Sequence, residues 1–175
     1  MSLHLDGARV FNAATELGVE VKEIVRHVDT VSICFSKGLG APVGSLLCGS
    51  GPFIAAAKRW RKMAGGGLRQ AGVLAAAIDY ALDHHVDRLR SDHAHAKRLA
   101  QAVSKIDAIT LISSQTNMVF IELPDEDIGV QLGQFLAERG VNVLGGKQMR
   151  LVTHLDISAA DTETVIALFR EYFAS

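Results

Sequence analysis

The chain is poor in the features that mark exported, membrane-bound or nucleic-acid-binding proteins. Its 175 residues contain only two cysteines, three prolines and 6% aromatic residues, and 18 basic side chains balance 19 acidic ones. So few cysteines exclude a disulfide-rich secreted scaffold and favour reduced thiols in a cytoplasmic protein. A net charge of -1 provides no basic surface for nucleic acid or an anionic membrane. No apolar run is long enough to span a bilayer.

What is present is an alternation of short apolar runs and amphipathic helical patterns, with 49% hydrophobic residues to build a core. The predicted helices are 10–17, 21–25, 53–63, 70–84, 86–106, 128–139 and 161–173. The predicted strands are 30–35, 45–48, 110–113, 118–123, 141–144 and 149–153. This α/β order predicts part of a large domain with a linking helix over residues 1–106 and a small α+β domain over residues 107–175. Because the first apolar stretch starts without a preceding helix or turn, we expect the C-terminal portion of a longer protein.

Lys37 is the most informative residue in the sequence. It follows the apolar run 31–36 and precedes a glycine-rich turn at 38–44, which predicts a primary amine held at the edge of a sheet. Such an amine suits Schiff-base chemistry. Upstream, Asp6 offers a carboxylate and Arg9 follows it three residues later, which is the pairing that a pyridoxal phosphate site needs. Taken singly, the three residues are equally explained as a surface lysine, a helix N-cap and a surface ion pair.

Four segments together resemble the L-threonine aldolases, which are fold-type I pyridoxal-phosphate enzymes of the aspartate aminotransferase superfamily. The segments are 4–9, 34–45, 65–72 and 150–154, in the family's order. The resemblance implies the C-terminal part of a PLP-transferase-like large domain followed by a small α+β domain. It also implies a homo-oligomeric lyase, dimer or tetramer, that cleaves L-threonine or L-allo-threonine to glycine and acetaldehyde. The family's phosphate-binding loop and ring-stacking aromatic residue belong to an upstream half.

The same resemblance assigns a role to five residues. Lys37 resembles the Schiff-base lysine, and Asp6 the partner of the pyridine nitrogen. Arg9 and Arg150 resemble the pair that holds the substrate carboxylate, a task suited to the planar, permanently charged guanidinium. Arg69 resembles an arginine at the cofactor phosphate or the subunit interface. Two alternatives stay open: a catalytically incomplete C-terminal fragment that only folds and dimerises, or another PLP enzyme such as an aminotransferase or a β-eliminating relative.

Other polar clusters are interpreted as structural. The glycines 65–67 lack the following lysine and hydroxyl residue of a nucleotide-binding loop. The histidines within 83–85 and 92–95 are adjacent or two apart, so they do not share a helix face, and we predict solvated helix surface and no metal. His154 is assigned a structural or supporting role. The two cysteines are interpreted as small buried side chains, and Trp60 is expected to pack inward.

Overall fold

The computed structural model describes residues 1–174 of the chain. Two compact units are present, Met1–Leu89 (the first unit) and the residues from Arg90 onward (the second unit). The elements, in chain order, are β1 His4–Asp6, α1 Val10–Leu17, α2 Val21–Val25, β2 Thr30–Cys34, β3 Ser45–Cys48, α3 Gly51–Met63, α4 Gly72–His84, α5 Leu89–Val103, β4 Thr110–Gln115, β5 Met118–Glu122, α6 Glu126–Ala137, β6 Gln148–Val152 and α7 Ala159–Ala174.

The first unit is built on a three-stranded sheet in the order β1-β2-β3. β1 and β2 run parallel, with Asp6 opposite Ser32, whereas β3 runs antiparallel to β2. Parallel strands need a crossover connection, and the helices α1 and α2 supply it between β1 and β2. The core of the first unit is a small apolar cluster of Phe35, Leu39, Ala41, Ile78, Ala81 and Leu89.

Much of the first unit's apolar surface is left open. All four residues of β3 are exposed, and α3 buries none of its side chains. Trp60 on α3 is 68% exposed, so the expectation that it packs inward is wrong. The basic residues of α3 lie directly on either side of Trp60, at 58–59 and 61–62, and this helix buries none of its residues among the described part of the chain.

The second unit has an antiparallel sheet in the order β4-β5-β6 and a dense core. Val119 and Ile121 of β5 are fully buried, as are Leu132 and Leu136 of α6 and Phe169 of α7. The alternating burial along β5 is the period-two pattern of a strand with one face on a core. This unit therefore buries a complete apolar interior among its own elements.

Residues 141–147 form no strand, so the strand predicted at 141–144 is wrong. The segment is held against α6 because Gly129 has no side chain: a Cβ there would collide with the Gly146 carbonyl. At the two ends of the segment the backbone bonds outside any ladder: the Val141 amide donates to the Leu136 carbonyl at 2.9 Å, and the Lys147 amide donates to a Glu126 carboxylate oxygen at 2.8 Å. A β-branched pattern alone does not create a strand where the neighbouring surface is a helix.

The other predicted elements agree with the structure to within a few residues at their ends. The long helix predicted at 86–106 is observed as α5, at Leu89–Val103. The predicted division of the chain into domains 1–106 and 107–175 stays a prediction. Within residues 1–174 no helix is both long and apolar enough to cross a membrane.

Candidate active site

Asp6 and Lys37 lie at the same edge of the first unit's sheet. Asp6 is the last residue of β1, and the chain leaves the parallel strand β2 at Cys34, three residues before Lys37. The strand thus ends earlier than the sequence predicted. Since the carboxyl ends of parallel strands meet at one edge, both side chains are presented on the side where α/β sheets bind ligands.

The turn after β2 leaves the Lys37 amine exposed between two buried anchors. Phe35 is 2% exposed and Leu39 is 3% exposed, so the residues flanking the lysine are fixed in the core. The Gly40 amide donates to the Lys37 carbonyl, and the Ala41 amide donates to the Phe35 carbonyl, each at 2.9 Å. Gly40 has φ of 67°, which favours glycine there. The amine is therefore mobile only about its own side-chain bonds.

Asp6 is held in place by the close approach of the next residue to β2. The Gly7 amide donates to the Ser32 carbonyl at 2.8 Å, and a Cβ on Gly7 would lie 2.8 Å from Val31 Cγ2. One carboxylate oxygen of Asp6 accepts from the Ala8 amide at 3.1 Å. The N-cap residue of α1 is Arg9 rather than Asp6, so the N-cap alternative for Asp6 is excluded. Asp6 is exposed, so its carboxylate is accessible to a ligand N–H that could donate to it.

Arg9, at the start of α1, has a side-chain nitrogen that is buried without a hydrogen-bond partner among the described residues. The residue as a whole is half-buried, and the nitrogen is its Nε. A buried guanidinium N–H without an acceptor is costly, since the group loses its water without replacement. A carboxylate ligand could satisfy it, and guanidinium is the side chain best matched to that anion.

Arg69 lies on the connection between α3 and α4, where it is exposed. α3 ends in the glycines as predicted: Gly65 has φ of 83°, and the Gly66 amide donates to the Arg61 carbonyl at 2.8 Å. That arrangement satisfies carbonyls of the last helical turn. Arg69 is left available for an anion or another chain.

Arg150 belongs to the second unit, on β6 opposite Phe120 of β5. Its side chain lines a cavity of about 310 Å³ whose walls include Leu99 and Val165. His154 and Asn142 contribute polar groups to the same wall. The cavity therefore combines one cation with an apolar body, which suits a small molecule bearing an anionic group.

A buried hydrogen-bond network fixes the end of β6 beside this cavity. The Asn117 side-chain amide donates to the Thr153 carbonyl at 2.8 Å, and the Thr153 hydroxyl donates to the Asp92 carbonyl at 2.7 Å. His95 is half-buried and its Nδ1 is buried without a partner among the described residues, so the interpretation of 92–95 as solvated surface is wrong for it. The interpretation is also wrong for Asp92, which is fully buried. Its position inside the amphipathic α5 gave no sequence signal, because carboxylates are rarely buried.

The structure also corrects the expectations that both cysteines are buried and that both histidines of 83–85 are solvated. Cys34 is half-buried and Cys48 is exposed, and both are free thiols. His84 is exposed as predicted, but His85 is half-buried and its Nδ1 lies 2.6 Å from the Leu39 carbonyl oxygen. Sequence reasoning missed this contact because the two residues are 46 positions apart. Among residues 1–174 no three His, Cys, Asp or Glu side chains gather in a metal-binding arrangement.

Comparisons with known proteins bear on both units. A family model described as Beta-eliminating lyase matches residues 1–126. The low specificity L-threonine aldolase of Escherichia coli strain K12 is 45% identical over 174 residues, covering 99% of this chain and 52% of the relative. A crystal structure from Listeria monocytogenes, provisionally described as an L-allo-threonine aldolase, gives a TM-score of 0.80 at 24% identity, covering 98% of this chain and 52% of that one. A structure of SPT with PLP gives 0.72 at 18% identity, covering 97% and 46%.

At these identities the two structural similarities show the fold alone. They confirm the predicted fold class, which is the C-terminal part of a fold-type I, PLP-transferase-like large domain followed by a small α+β domain. The chain spans about half the length of the curated relatives that it matches.

Proposed function

We propose that this chain, which belongs to the beta-eliminating lyase family, carries the lysine-bearing half of a pyridoxal-phosphate-dependent aldehyde-lyase. The reaction is retro-aldol cleavage of L-threonine or L-allo-threonine to glycine and acetaldehyde. The observation that carries the proposal is the position of Asp6 and Lys37 at one sheet edge, with the unsatisfied Nε of Arg9 three residues after Asp6. The resemblance to the threonine aldolases is confirmed by the curated relatives.

The residues present fit the cofactor. The exposed amine of Lys37 is available to bond to the cofactor aldehyde, and the Asp6 carboxylate would hold a proton on the pyridine nitrogen. Arg69 is proposed for the phosphate or the subunit interface. When bound, pyridoxal phosphate withdraws electrons from the α-carbon of an amino acid. Arg9 and Arg150 are proposed to hold the substrate carboxylate, and this fixed orientation decides which α-carbon bond is cleaved.

The exposed apolar side chains of the first unit support assembly with a second copy of the chain. On β3, Leu46 and Leu47 are 46% and 40% exposed, and on α3 Trp60 and Met63 are 68% and 65% exposed. Four large apolar side chains this exposed on one unit support a surface that another chain covers. We propose a homo-oligomer, dimer or tetramer, acting on a small amino acid in the cytoplasm, where both thiols would stay reduced.

The same open surfaces favour one alternative, in which the chain alone only folds and assembles. The two readings are separated by incubating the purified chain with pyridoxal phosphate and L-threonine and measuring acetaldehyde and glycine. We expect both products, lost in Lys37→Ala and kept in Lys58→Ala, which removes an exposed lysine of α3. A 2-oxo acid in place of acetaldehyde would instead indicate transamination or elimination. No product from the unsubstituted chain would favour the assembly role.

A further inference from the structure

The turn that presents Lys37 is held from outside by a side chain with no role in the proposed chemistry. His85 lies 2.6 Å, through Nδ1, from the carbonyl oxygen of Leu39, two residues after the lysine. A carbonyl oxygen only accepts, so the imidazole must carry its proton on Nδ1 and donate it. The contact is part-buried, which makes its loss more costly than that of an exposed hydrogen bond.

The hydrogen bond from the His85 ring to Leu39 is not needed to cap α4, the helix that His85 follows. His85 is the C-cap residue of α4, and its backbone amide makes the capping bond to the Ala81 carbonyl at 2.9 Å. Any residue with a backbone N–H could make that bond. The His85 ring also meets Tyr80 edge-on, with ring centroids 5.6 Å apart, and its Nδ1 contacts the lysine turn.

The other side of the turn is fixed by packing. A Cβ added to Gly38 would lie 3.0 Å from Leu89 Cδ2 and 3.3 Å from the side-chain oxygen of Asn12. The backbone next to Lys37 is thus pressed against α1, and the Leu39 carbonyl is held by α4. With both sides fixed, the position at which the lysine side chain leaves the backbone is set.

We infer that His85 is a positioning residue, which fixes the Lys37 turn through the Leu39 carbonyl and so directs the amine toward the sheet edge that carries Asp6. The inference deepens the proposed function and rests on it for the role of Lys37. Reacting groups held in a fixed geometry react faster than mobile ones, because less conformational entropy is lost on reaching the reactive orientation.

The test compares three variants with the unsubstituted full chain. His85→Ala removes the donor, and His85→Asn keeps one, since the asparagine amide nitrogen is placed much as Nδ1 is. His84→Ala is the matched control, because His84 is an exposed neighbour on α4 that contacts Tyr80. Two quantities are measured: amide hydrogen exchange at Gly40 and Ala41 without cofactor, and the rate at which pyridoxal phosphate and borohydride label Lys37.

We expect His85→Ala to speed exchange at both amides about fivefold and to slow labelling by about tenfold. His85→Asn should restore most of the exchange protection and most of the labelling rate. His84→Ala should change neither quantity. The inference is overturned if His85→Ala behaves as His84→Ala does, or if His85→Asn is as impaired as His85→Ala. Should the unsubstituted chain not be labelled at Lys37, the proposed function fails, and the exchange rates alone decide whether His85 holds the turn.

Discussion

The two units of the chain divide apolar burial and chemistry unequally. The second unit buries a large core that includes Ile121, Leu132 and Phe169, whereas the first unit buries a small cluster around the Lys37 turn. The two units also differ in how the N-termini of their helices are capped. The helices α1 to α4 have no side-chain N-cap, but Asp125 caps α6 and Ser158 with Asp161 forms a capping box before α7.

This difference in burial and capping indicates which contacts stabilise each unit. The second unit buries a large apolar core among its own elements, although His95 Nδ1 is buried there without a hydrogen-bond partner among the described residues. The first unit leaves β3 and α3 uncovered while placing a lysine, a carboxylate and an arginine at one sheet edge. Its stability and its chemistry are therefore expected to depend on surfaces that other chain segments or copies supply.

The largest effect is expected from the same substitution made once in each unit. Leu132→Ala in the second unit removes a fully buried side chain and should cost about 2–5 kcal/mol of unfolding free energy, through lost transfer energy and a cavity. Leu46→Ala in the first unit removes a side chain that is 46% exposed and should cost less than about 1 kcal/mol in the isolated chain. Urea unfolding followed by circular dichroism measures both.

Equal losses at the two leucines would break the comparison, because they would mean that β3 is buried as deeply as α6. If the loss of unfolding free energy caused by Leu46→Ala grows with protein concentration, the contrast between the two units becomes more specific. That result would show that a second copy covers β3, since subunit binding stabilises by mass action.

A smaller effect is expected at the helix end that only the second unit caps. The Ser158 hydroxyl and amide donate to the Asp161 carboxylate and hold the pKa of that group below its ordinary value of 3.8. A carboxyl with a lowered folded-state pKa stabilises the fold above its unfolded pKa, and this stabilisation is lost as the pH falls through the folded pKa. Asp161→Ala should therefore lower the unfolding midpoint at pH 7, by an amount that shrinks below pH 3.8.

The matched test is a double-variant cycle with Ser158→Ala. Because the two side chains bond each other, the double variant should lose less than the sum of the single variants. Additive losses, or a loss from Asp161→Ala that is the same at pH 7 and at low pH, would contradict a reciprocal capping box.

Much of the fold follows from local sequence patterns. The β-branched run before Lys37 predicts β2, and the glycines after it predict the turn that Gly40 and Gly44 make with positive φ. Periodicity also locates most helices to within a few residues. The placement of Asp6 and Lys37 after paired parallel strands was predictable in kind, since parallel strands end at a common edge.

The remaining features depend on contacts between distant segments. The bond of His85 to Leu39, the burial of Asp92 and the exposure of Trp60 are set by which surfaces meet. The segment 141–147 carries strand-forming residues, yet the glycines of α6 hold it against a helix. No local pattern encodes such pairings, because each side chain is compatible with either environment until its neighbour is known.

The most direct test of the account is to mix the purified chain with pyridoxal phosphate, reduce it with borohydride and map the labelled peptide. Because Lys37 is the lysine fixed between buried residues at the sheet edge, we predict that it carries the label, and that Asp6→Ala leaves the label in place while turnover falls. Labelling spread over the exposed lysines of α3, or a label that survives Lys37→Ala, would contradict the assignment of this edge as the cofactor site.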